Sequence, residues 1–171
     1  MNIEKLFRIL SAILMPIVFI LAFIMLPFLL LSLSNPALLF GIFVFACVVI
    51  YMVKSVQFFR RSVVPGLSAK ANTRDWIRVN AFVSIVFVLE ILFNGYYMFF
   101  NSKELMTTLQ IWLNKLQDAQ GTASMPISAE QMYGALKSLM IFFLVLAVLL
   151  MVHIVCSFKL LKKYRDLFVH A

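Results

Sequence analysis

From Ile9 to Leu33 the chain runs for 25 residues without a charged side chain. Crossing the hydrocarbon core of a bilayer, roughly 30 Å thick, takes about 20 apolar residues in a helix, so this run is long enough to span. It is also too long for the apolar core of a secretory signal, about 7–15 residues, and has no Ala-x-Ala-type cleavage site, so it is expected to be a retained span. Three more runs follow, at about Ala37–Val53, Ile77–Phe100 and Leu136–Phe158. The second is closed by Lys54; the third carries Arg78 at its edge and Glu90 as its single acid; the fourth contains the wholly apolar stretch Leu139–Val152.

Composition agrees with this reading. Of 171 residues 64% are hydrophobic and 13% charged, against about 45–50% and about 25% in a soluble domain. A water-soluble core of this size cannot hide such an excess. A soluble enzyme, a disordered tail and a disulfide scaffold are therefore disfavoured. The expected fold is all-α, an integral membrane four-helix bundle forming a single polytopic domain over residues 1–171.

The distribution of basic residues sets its orientation. Lys5 and Arg8 precede the first span; Lys54, Arg60, Arg61, Lys70, Arg74 and Arg78 lie between the second and third; Lys159, Lys162, Lys163 and Arg165 follow the fourth. With four spans all these segments share one side, which the positive-inside rule makes cytoplasmic. Both termini are then inside, and the expected location is the cell membrane. The other side holds only Lys103, Lys115 and Lys137, balanced by Glu104, Asp118 and Glu130. Tyr51, Trp76 and Tyr164 are expected at the inner headgroup level, and Tyr96, Tyr97 and Tyr133 at the outer one.

The connections carry local signals. Ser34, Asn35 and Pro36 make a short link, with Asn35 placed to cap a helix that opens on Pro36. Pro16 and Pro27 remove backbone donors within the first span and predict kinks. Asn101 with Glu104, and Ser128 with Gln131, both resemble capping boxes. Between them Leu105, Leu109, Trp112, Leu113 and Leu116 recur on one helical face, which predicts an amphipathic helix over about 102–118 on the outer surface, ending near Gly121 before a loop through Pro126. The last helix is expected to continue beyond the membrane as a cytoplasmic extension over about 159–168, because Leu160, Leu161, Tyr164, Leu167 and Phe168 keep the helical period.

Glu90 is the most informative polar residue. On the insertion scale a central charge costs about 2.5–3.5 kcal/mol and each Ile, Leu, Val or Phe returns about 0.3–0.6, so the eight apolar neighbours from Ile85 to Leu89 and from Ile91 to Phe93 let the span insert. Asn80, Ser84, Glu90, Asn94 and Asn101 fall within about 120° on a helical wheel, and the first four form a candidate polar intramembrane site. It would serve as interhelical glue, or as the floor of an ion or ligand path.

Other chemistry is thinly represented. His153 lies within the fourth span and His170 in the tail, so a bis-His haem site is not expected. Cys47 and Cys156 form no C-x-x-C pair, and His153 with Cys156 leaves a metal short of ligands. No cofactor or metal is expected. His153, Trp76 and Trp112 are candidate interfacial residues, and Arg60, Arg61, Lys162 and Lys163 are candidate contacts for anionic lipid headgroups. Nucleic acid is a poor partner for a chain without a soluble domain or stacking platform. No nucleophile elbow, phosphate-cradling glycine loop or acid pair is evident, so catalysis is not expected. Besides the bilayer, the expected partners are another membrane protein or further copies of the chain. The leading expectation is a non-enzymatic accessory or scaffold subunit of a membrane assembly. The alternative is a small oligomeric transporter or channel using the stripe around Glu90.

Overall fold

The computed structural model describes residues 2–32, 35–120 and 128–169. Its helices are α1 (Ile3–Ser32), α2 (Pro36–Phe58), α3 (Ala71–Phe100), α4 (Ser102–Gln120) and α5 (Ala129–Lys163). Among the described residues, four helices are long and apolar enough to cross a membrane: α1, α2 with its π-helical continuation, α3 and α5. This is compatible with a multi-pass membrane protein. The helix α4 is shorter; its Leu113 is buried while Ile111 and Trp112 are exposed. Gly121 to Pro126, Leu33 at the end of the first run and Ser34 of the link lie outside the described residues, so the expected loop and part of the expected turn are not described.

The chain divides into two compact units, residues 1–89 with 148–171, and residues 90–147. The division falls within α3 and α5.

In the first unit α1 and α2 pack antiparallel, with Arg8 and Arg60 lining one groove and Leu29 and Ile42 lining another. The helix α1 continues through Pro16 and Pro27. Phe45 meets Phe87 at 6.0 Å between centroids, and Phe82 meets Phe158 at 5.8 Å, so α3 touches both α2 and α5 here. At the end of α2 the winding loosens into a π turn over Phe59–Val63. The chain then reverses through Pro65 and Gly66, whose φ of 68° is open to glycine at little cost.

The tail departs from the expected helix. The helix α5 ends at Lys163; Tyr164 leaves helical geometry, and after a 3-10 turn at Arg165–Leu167 the strand Phe168–Val169 pairs in parallel with Ala69–Lys70. Phe168 stacks on Phe58 at 5.0 Å and is buried. Burial under the α2–α3 connection satisfies the same apolar positions that suggested a longer amphipathic helix. Nearby, the Lys163 ammonium and the Tyr164 hydroxyl both donate to the Glu4 carboxylate at 2.6 Å, which ties the start of α1 to the end of α5.

In the second unit α3 approaches α5 closely at Gly95, where an added Cβ would lie 2.9 Å from Leu144 Cδ2. Tyr133 donates to the Met98 carbonyl at 3.2 Å. The capping box at Ser128 is formed: the Gln131 amide donates to Ser128 Oγ at 3.2 Å, and the Ser128 amide to Gln131 Oε1 at 3.0 Å. At the start of α4 the Glu104 carboxylate lies beside the Tyr97 hydroxyl, while the Asn101 carbonyl receives the Leu105 amide at 3.1 Å.

Candidate functional site

The most connected polar site lies in the first unit and joins three helices. His153 of α5 is fully buried. Its Nδ1 is 2.8 Å from the Tyr51 hydroxyl of α2, and its Nε2 is 3.0 Å from Ser11 Oγ of α1. Ser11 also donates to the Phe7 carbonyl at 2.7 Å. A hydroxyl has one proton, so Ser11 must accept from the imidazole. Nε2 then carries the hydrogen, and Nδ1 accepts from Tyr51. Every donor in this chain of contacts has an acceptor.

Aromatic packing encloses the imidazole, while Ser11 borders a groove between α1 and α2. Phe7 stacks on the imidazole at 4.5 Å and meets the Phe59 ring at a tilt, 4.9 Å between centroids. Tyr51 meets His153 edge-on at 5.6 Å. Ser55 and Ser157, both buried, flank the phenol, and Ser55 donates to the Met52 carbonyl at 3.1 Å. With its proton on Nε2, His153 cannot take a proton from Ser11, so the arrangement ties helices together and does not activate a nucleophile.

Ser11 and Tyr51 were not candidates from sequence. Tyr51 is not a headgroup-level anchor, since it is completely buried against His153. A lone hydroxyl, phenol and imidazole on three different spans leave no periodic pattern that could pair them. The one available signal was that each interrupts an otherwise apolar face.

The expected stripe on α3 divides. Asn80 and Ser84 are buried, and each bonds the backbone one turn before it: Asn80 Nδ2 to the Trp76 carbonyl at 2.8 Å, Ser84 Oγ to the Asn80 carbonyl at 2.7 Å. Glu90 and Asn94 are exposed. The buried side of α3 carries Ile77, Ala81, Ser84, Val88 and Met98. At 100° per residue Glu90 points about 130° away from the middle of that side, and Asn94 about 90°. An arc of about 120° is wide enough to straddle the boundary between the two sides.

Trp76 and Trp112 are both about half exposed, and His153 is interior. Arg60, Arg61, Lys162 and Lys163 are all exposed, with Lys163 engaged to Glu4 as described. Cys47 and Cys156 are buried free thiols. Among the described residues no group of three His, Cys, Asp or Glu side chains is placed to hold a metal.

Comparison of the chain with protein-family models, with curated proteins and with solved structures gives no match.

Proposed function

We propose that this chain is a non-enzymatic subunit of a cell-membrane assembly, with both termini cytoplasmic, and that it docks its partner through the face of α3 bearing Glu90 and Asn94. The observation that carries this reading is the exposure of those two side chains in the middle of an apolar helix. An acid at membrane depth is costly unless protein or water meets it. Glu90 points away from its own helix's buried side and Asn94 lies at the edge of that side, both exposed, so the group that satisfies them comes from outside this chain. Val86, Phe93 and Tyr97 share that face and are exposed as well, so the polar pair stands among large apolar and aromatic side chains, of which the aromatic ones are enriched at protein contacts.

A photo-reactive phenylalanine analogue in place of Phe93 tests the reading in native membranes. The expected result is a cross-link to a second protein, lost when Glu90→Leu is added. A cross-link to another copy of this chain would favour the small oligomeric transporter or channel. Cross-links to lipid alone would overturn the docking role.

A further inference from the structure

Two grooves open on the same side of the α1–α2 pair. One, of about 380 Å³, carries Arg8, Ser11 and Arg60 beside an apolar wall that includes Ala12, Val56 and Phe59. The other, of about 280 Å³, lies farther along the same helices and is almost wholly apolar, with Ala22 and Leu26 facing Ala46 and Ile50. At 100° per residue the residues lining both grooves fall on one face of α1 and on one face of α2. They therefore belong to one seam, charged at the basic end and apolar beyond it.

We infer that this seam seats one anionic phospholipid from the leaflet at the basic end, its phosphate between Arg8 and Arg60 and an acyl chain running toward Ala22. The head chemistry is matched by two guanidiniums, which bind phosphate through paired N–H donors. Neither arginine makes a salt bridge among the described residues, where the ion pairs are Arg74 with Asp75 and Lys163 with Glu4. Arg8 lies over the Phe59 ring at 5.9 Å, which holds it at the groove wall. Arg60 stands on the π turn, a local winding often found at functional positions. Ser11 keeps an unused lone pair after donating to Phe7 and accepting from His153, so the groove floor is polar but carries no acid to repel an anion.

The depth also fits. Arg8 to Ala22 is a rise of about 21 Å in a helix, and half of a bilayer with its headgroups is about 20–22 Å. The acyl chain of a lipid held at Arg8 thus reaches the near end of the apolar groove. This assignment needs the helices to lie in a bilayer, but it does not depend on what Glu90 docks against.

Native mass spectrometry of the full chain, released from detergent with added phosphatidylglycerol or phosphatidylcholine of the same acyl composition, tests it. One phosphatidylglycerol per chain should survive, and phosphatidylcholine should be lost. Arg8→Gln with Arg60→Gln should weaken retention by about tenfold to thirtyfold, for two phosphate-facing charges. Ala12→Glu, an exposed substitution that adds a repelling charge to the groove, should do the same with the helical content unchanged. Lys159→Gln with Arg165→Gln should leave retention within about twofold, as exposed charges outside the groove. Equal loss in that control would replace the seat with diffuse attraction. Displacement by inorganic phosphate or glycerol phosphate at comparable concentration would show a free-phosphate site, and unchanged retention in both groove variants would refute the site outright.

Discussion

The polar groups around His153 and those around Glu90 meet the same constraint in opposite ways. In the first unit, Ser11, Tyr51 and His153 come from three helices, are buried and satisfy one another. In the second, Glu90 and Asn94 stand exposed on an apolar helix. Lipid tails offer no hydrogen bonds, so a polar side chain at membrane depth must be matched within the chain or by something that binds it. The contrast is between a polar cluster satisfied within the chain and a polar pair left exposed on it.

The substitutions that test this contrast differ widely in size. The largest loss is expected from His153→Ala, which leaves a cavity beneath Phe7 and strands the Tyr51 hydroxyl. Unfolding in mixed micelles with a denaturing detergent, followed by circular dichroism, should show about 3–5 kcal/mol less stability. Gly95→Val comes next, because even a Cβ meets Leu144 at 2.9 Å; overpacking there should cost about 1–3 kcal/mol in the same titration. Tyr51→Phe removes a single interhelical hydrogen bond and should cost about 0.6–1.7 kcal/mol. Combined with His153→Phe in a double-mutant cycle, it should be clearly non-additive, whereas additivity would mean that the two rings do not share a bond. Glu90→Leu should change the stability of the isolated chain least, within about 0.5 kcal/mol, since it removes no internal partner. A loss like that of His153→Ala would place Glu90 among the groups that build the fold.

Much of the fold could be read before any coordinates, because each span is a property of one continuous stretch. Four runs of sufficient length give four helices, and the Ser128–Gln131 box forms as its spacing predicts. Sequence reading was weaker wherever two distant segments had to meet. The period through Leu160, Leu167 and Phe168 predicts more helix, yet Phe168 finds Phe58, more than a hundred residues earlier, and the tail turns to reach it. The Asn101–Glu104 spacing looks like a cap, but the Glu104 carboxylate lies beside the Tyr97 hydroxyl. The stripe on α3 was legible as a pattern of polar residues, while the line dividing its buried and exposed halves depends on what packs against the helix. The His153 cluster was the least legible, having one member on each of three spans.

Labelling with a lipid-soluble carbodiimide is the most direct check on the central claim, because this reagent seeks carboxylic acids that face an apolar medium. In the purified chain, peptide mass spectrometry should find Glu90 modified, with the modification absent in Glu90→Gln and suppressed in native membranes where the partner is present. An unmodified Glu90 in the purified, folded chain would contradict the account, since the acid would then be enclosed within its own bundle.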